Sequence, residues 1–225
     1  MSDIETGRSR YSTLVLDVDS TLSRTEGIEW LARLRGPSIA EHVGEVTTQA
    51  MNGQIPLQSV YASRLELIRP TLTEIGQLGD AYIATVMPGA REAVIALRDA
   101  GVRVIIVSGG IREAIVPLAT YLGVHDSDTF AVSLSFDSAG TYRSFDERSP
   151  LARNGGKPEV VRSLALQSRV IALGDGISDA ELKTDAPASV DSFAAFVGVA
   201  SRAPIVGVAD FIVHEFDELP AIVLS

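Results

Sequence analysis

Three short apolar runs, Thr13–Val18, Val102–Val107 and Val170–Leu173, constrain the fold most, because each is rich in β-branched residues and gives way to small or acidic ones. Each is too short for a helix and too uniformly apolar for a half-exposed strand, which predicts central parallel strands buried on both faces. Between them lie helical patterns at Gly89–Ala100, Ile111–Leu122 and Pro158–Leu166. The first stops at Gly101, as a C-terminal glycine dictates. Alternation of this kind predicts an α/β fold with a doubly wound parallel sheet.

Residues 28–85 break the rhythm. They show no convincing strand, and helical patterns dominate at Glu29–Leu34, Ile39–Met51, Leu57–Ile68 and Thr73–Val86, punctuated by Pro37, Gly53, Pro56 and Pro70. The expected organisation is a core of residues 1–27 and 86–225 with a helical bundle, 28–85, inserted after the first strand. A second excursion, at about 129–146, alternates like a hairpin: Phe130–Phe136 and Thr141–Phe145 flank the turn DSAG. Ala194–Val199 and Phe211–Val213 are expected to add short strands.

Composition narrows the chemistry. A net charge of −10 with 19 basic residues, none in a long run, argues against nucleic acid or an anionic membrane as partner. There is no cysteine, so thiolate, disulfide and zinc-thiolate chemistry are excluded. The first ten residues lack an apolar signal region and no stretch reaches the roughly 18 apolar residues of a membrane helix, which predicts a soluble, cytoplasmic protein. The sequence leaves a homodimer open.

Asp17 and Asp19 stand one residue apart at the end of the first run, followed by Ser20 and Thr21. Two like charges this close need a cation, a donor or a proton. A hard divalent metal is one answer, and Mg²⁺ leaves room for phosphate oxygens; an acidic loop capping a helix through Ser20 or Thr21 is the other. Three more polar clusters follow apolar runs or open helices. Ser108, Gly109 and Gly110 read as a hydroxyl with free amides at a helix start, suited to an anion. Lys157 follows two glycines and opens the helix beginning at Pro158, where a lysine standing alone is ordinarily solvent-exposed. GDGISD places Asp175 and Asp179 one helical turn apart. A parallel sheet brings its strands' carboxyl ends to one edge, so Asp17, Asp19, Ser108, Lys157, Asp175 and Asp179 can converge. Together they suit Mg²⁺ plus a phosphoryl group, with an aspartate as phosphoryl acceptor.

DVDST, SGG, GGK and GDGISD, in that order, resemble the haloacid-dehalogenase superfamily of aspartate-nucleophile phosphatases, with its Rossmann-like core. DVDSTLSRTEGIEWLA, QAMNGQIPL, SRLELIRPT, SGGIREAI and FDE narrow the resemblance to the phosphoserine phosphatase family, over about Leu14 to Leu219. It implies that Asp17 attacks phosphorus and that Mg²⁺ is bound by Asp17, the Asp19 backbone carbonyl and Asp175. Asp19 would protonate the leaving serine oxygen and then activate the hydrolytic water. Ser108, the Gly109 amide and Lys157 would bind the phosphoryl oxygens, while Asp179 would orient the metal shell and Lys157. Glu26 would pair with the substrate ammonium, Arg64 would fork onto its carboxylate and Met51 would line the pocket. The inserted bundle would be the family's cap, closing over substrate to exclude water. Ser178, in GDGISD, keeps a hydroxyl where relatives commonly carry Asn or Thr, and the segment Phe196–Ser201 departs from the family pattern.

Other readings stand beside this one. A phospho-receiver domain shares the acidic cluster but is about half this length and has no insert. An enzyme acting on another small phosphorylated metabolite, a phosphotransferase, and a non-catalytic metal or phosphometabolite sensor share the residues named above.

Overall fold

The computed structural model describes residues 9–51, 57–167 and 169–225. Its strands are β1 (Thr13–Leu16), β2 (Arg103–Ile111), β3 (Thr129–Val132), β4 (Leu134–Phe136), β5 (Tyr142–Phe145), β6 (Val170–Gly174), β7 (Ser192–Phe196) and β8 (Phe211–Val213). Six of them form one parallel sheet in the order β3-β2-β1-β6-β7-β8. The two central runs, β1 and β6, are buried along their whole length, which is why their sequences carry no polar face. Leu16 lies between Ile106 and Leu173 in the register. Asp17 therefore takes the next rung, where its N–H donates to the Leu173 carbonyl at 3.1 Å.

Among the described residues, α1 (Gly27–Arg33), α2 (Pro37–Met51), α3 (Leu57–Ile68) and α4 (Leu72–Ala84) intervene between β1 and β2. Thr71 caps α4 in a reciprocal box with Glu74, and Arg35 grips the same glutamate through two bonds of 2.7 and 2.6 Å. The chain leaves and re-enters the sheet through two short segments held side by side. Arg24 N–H donates to the Thr85 carbonyl and Met87 N–H to the Leu22 carbonyl, at 3.0 and 2.9 Å. The Thr85 hydroxyl lies 2.7 Å from those of both Ser23 and Thr25.

The remaining helices are α5 (Ala90–Asp99), α6 (Arg112–Tyr121), α7 (Gly156–Ser163), α8 (Ile177–Thr184), α9 (Ala203–Val206) and α10 (Leu219–Leu224). Among the described residues, no helix is long and apolar enough to cross a membrane.

Three local expectations are corrected. The first arm of the hairpin divides: β3 joins the main sheet beside β2, and only β4 pairs antiparallel with β5. Both neighbours impose the same two-residue alternation, so the sequence pattern runs unbroken across the change of partner. Ser108, Gly109 and Gly110 lie within β2, and α6 starts only at Arg112. The pairing of Ile111 with Val132 keeps the glycines extended across an irregularity in the ladder. Finally, α7 opens at Gly156, so Lys157 sits in its first turn and not ahead of it.

Candidate active site

Asp17, Ser108 and Asp175 arrive at one edge of the sheet because β1, β2 and β6 are parallel and in register there. Lys157 reaches them from α7. Its ammonium lies 2.7 Å from Asp17 Oδ1 and 2.7 Å from Asp179 Oδ1, and all three side chains are buried. Asp179 occupies the first turn of α8, where its Oδ2 also accepts the Gly176 N–H at 3.1 Å. That fold-back explains the glycine after the β6 run: a Cβ on Gly174 would lie 2.2 Å from the Asp179 carboxyl carbon.

Carboxylate oxygens of Asp17, Asp175 and Asp179 all lie within 4.8 Å of one another. The balance of charge around them is negative. Burial and the Asp17 charge push Asp179 up to about 7, despite Lys157. The same two causes raise Asp175, although the Arg202 guanidinium grips its Oδ2. Burial alone would lower the Lys157 ammonium, but Asp17 and Asp179 outweigh it and hold the group above its ordinary range. Hard oxygen donors carrying uncompensated negative charge suit a divalent cation such as Mg²⁺.

The Asp19 carboxylate stands apart from this trio. Its Oδ1 accepts from the Gly27 N–H at 2.8 Å and from the Tyr82 hydroxyl at 2.7 Å. The phenol sits so close over α1 that a Cβ on Gly27 would lie 2.2 Å from its oxygen, so any larger residue here would have to displace the phenol. Burial, then the neighbouring Asp17 charge, raises Asp19 to about 7 against the pull of those two donors.

The helix-cap reading of the acidic loop is overturned. Ser20 donates to Glu26 Oε1 and Thr21 donates to Asp175 Oδ1 at 3.3 Å, while the next helix begins only at Gly27. Ser20 holds a left-handed backbone, φ 54°, to make this turn.

A cavity of about 210 Å³ opens over the cluster. Asp17, Asp19, Ser108, Gly109, Gly110, Lys157 and Ser178 line it from the sheet edge, and Glu26, Glu29, Thr47, Tyr61 and Arg64 from α1, α2, α3 and the loop before them. The Gly110 N–H already donates to Ser108 Oγ at 3.0 Å. Burial, then Asp19, pushes Glu26 up to about 8. Arg64 is buried and donates from Nη1 to Thr47 Oγ1 at 3.1 Å; burial holds its guanidinium below its ordinary range. Met51 closes α2, and its side chain lies outside the described residues.

Sequence reasoning brought together Asp17, Ser108, Lys157, Asp175 and Asp179, and it named Glu26 and Arg64. It missed Tyr61, Tyr82, Thr47 and Arg202. The two tyrosines fall at core spacing on helices, where the ring accounts for the position and the hydroxyl leaves no trace in the pattern. Arg202 follows the segment that departs from the family pattern, and that departure was its only signal.

A family model described as haloacid dehalogenase-like hydrolase matches residues 14–182. Phosphoserine phosphatase of Bos taurus is 34% identical over 206 residues, covering 90% of this chain and 89% of that protein. The chloroplastic phosphoserine phosphatase of Arabidopsis thaliana is 35% identical over 206 residues, covering 90% and 68%. A phosphoserine phosphohydrolase-like protein from Francisella tularensis shares the fold, with a TM-score of 0.83 at 24% identity over 95% of this chain and 100% of that one. Sequence, fold and the acidic strand-end cluster agree: the chain belongs to the phosphoserine phosphatase family of haloacid dehalogenase-like hydrolases.

Proposed function

We propose that the chain hydrolyses O-phospho-L-serine to L-serine and phosphate. One observation carries the reading: a single cavity joins a lysine-bridged carboxylate cluster at the sheet edge to a buried acid and base, Glu26 and Arg64, on the helical side. Phosphoserine presents three charged groups, and the cavity offers a complement to each. Ser108 Oγ, the Gly109 N–H and Lys157 receive the phosphoryl oxygens. Glu26 faces the ammonium and Arg64 the carboxylate.

Asp17 attacks phosphorus to form an aspartyl-phosphate, and the seryl oxygen leaves with a proton from Asp19. Water then attacks the acyl-phosphate while Asp19 takes its proton back, which returns the enzyme to its starting state. An Asp19 carboxyl raised to about 7 is suited to both transfers near neutral pH. Its Oδ1 is taken up by the Gly27 and Tyr82 donors, so Oδ2 carries the proton. Asp17, the Asp19 carbonyl and Asp175 would hold Mg²⁺, with Asp179 beside them, and the bound cation would neutralise charge on the phosphoryl group. Asp179 also positions Lys157. On this reading residues 28–85 are a cap that closes on the core of 1–27 and 86–225 about the paired segments at Ser23 and Thr85.

Phosphate release from a panel of phosphomonoesters, with and without EDTA, tests the proposal. Phosphoserine should be the best substrate, EDTA should abolish turnover and Mg²⁺ restore it. Asp17→Asn should lose about 10⁴-fold or more. Full turnover by Asp17→Asn would overturn the mechanism; a poor rank for phosphoserine would overturn the substrate alone.

A further inference from the structure

Among the described residues, two donors in the cavity wall have no hydrogen-bond partner: the Tyr61 hydroxyl and Arg64 Nε. They lie three residues apart on α3 and so on one face of that helix. Tyr61 is 2% exposed and Arg64 8%. The Tyr61 ring is held on its own account, tilted against Phe145 at 5.1 Å between centroids, with the Arg64 guanidinium 5.8 Å from its centre. Phenylalanine would make the same ring contacts. An unpartnered buried hydroxyl is a cost that phenylalanine would not carry. Burial also drives the phenol far above its ordinary range, so the oxygen keeps its hydrogen and stays able to donate.

Two buried donors side by side, neither given an acceptor by the described residues, make a seat for an oxyanion. The phosphoryl group is met at the sheet edge by Ser108 and Lys157, which leaves the other oxyanion of the substrate. We infer that Tyr61 is a specificity-determining residue whose hydroxyl, together with Arg64 Nε, seats the substrate's carboxylate. The inference rests on the phosphoserine reading and deepens it. Tyr61 places its donor at a fixed depth in the wall, so the seat selects phosphomonoesters with a carboxylate near the ester carbon over those without one.

The test compares wild type with Tyr61→Phe on O-phosphoserine and on O-phosphoethanolamine, which keeps the phosphate and the ammonium and lacks the carboxylate. For the variant, kcat/KM on phosphoserine should fall about 10- to 100-fold, the range for one hydrogen bond to a charged group, chiefly through KM. On phosphoethanolamine it should stay within about twofold. The thermal midpoint should be unchanged or higher, because an unsatisfied hydroxyl has been removed. Equal losses on the two substrates, an unchanged preference, or a lowered thermal midpoint would each overturn the inference. If wild type itself shows no preference for phosphoserine over phosphoethanolamine, the substrate reading falls first; if wild type prefers phosphoserine and Tyr61→Phe keeps that preference, only the role of Tyr61 falls.

Discussion

Replacing Lys157 with methionine keeps an apolar stem as far as the ε position and removes the ammonium that bridges Asp17 and Asp179 at 2.7 Å each. At an effective dielectric near 20, each contact is an attraction of about 6 kcal/mol. Most of this is offset by the cost of taking three charges out of water, and breaking such a buried pair leaves a net loss of about 3–5 kcal/mol. The loss should depend on pH. Asp179 already sits at about 7 with the lysine in place, and without it burial and Asp17 push the carboxyl higher. A native carboxyl raised above the unfolded value of about 4 keeps a proton that the unfolded chain has given up. Stability therefore falls as pH rises between the two values. Urea unfolding of wild type and Lys157→Met in EDTA at pH 5, 6.5 and 8 reads this directly. The deficit should be about 3–5 kcal/mol at pH 8 and at most about half that at pH 5. A deficit independent of pH, or none at pH 8, would refute the view that this lysine compensates the buried carboxylates.

Two further outcomes follow from the geometry. The bidentate Arg35 contact, followed by the Thr71 N–H, holds Glu74 at about 2. A depressed carboxyl stabilises fully above its ordinary value of about 4.5 and loses that contribution as pH falls through about 2, so Arg35→Ala should lose about 1 kcal/mol at pH 7 and converge with wild type in acid titrations of unfolding. Tyr82→Phe removes one of the two donors that lower Asp19. In the proposed mechanism Asp19 is protonated when it releases the seryl oxygen, so the alkaline fall of kcat/KM on phosphoserine should move to higher pH in the variant; superimposable profiles would remove Asp19 from the acid role.

The residues legible in the sequence share one property: the backbone alone brings them together. A parallel sheet delivers Asp17, Ser108 and Asp175 to the same edge whatever their side chains do. The turn into α8 then adds Asp179, and a Cβ at Gly174 would leave that turn no room. The hydroxyls that complete the cavity are placed by packing instead. Tyr82 is fully buried on α4, and its ring satisfies the helix-core pattern as phenylalanine would. Only when α4 is laid across α1 does its oxygen meet Asp19 and Gly27. The misreading of Ser108–Gly110 has the same origin. Glycines after an apolar run signal a helix start only if nothing beyond them pairs, and here the edge partner is β3, whose residues look like one arm of a hairpin. Asp19 joins the two kinds of information, because its place is set by β1 while its carboxylate is set by Tyr82 and the start of α1. The proposed acid is thus held jointly by the sheet and by the inserted helices. A displacement of α1 or α4 that left every strand-end residue in position would still misalign the proton transfer.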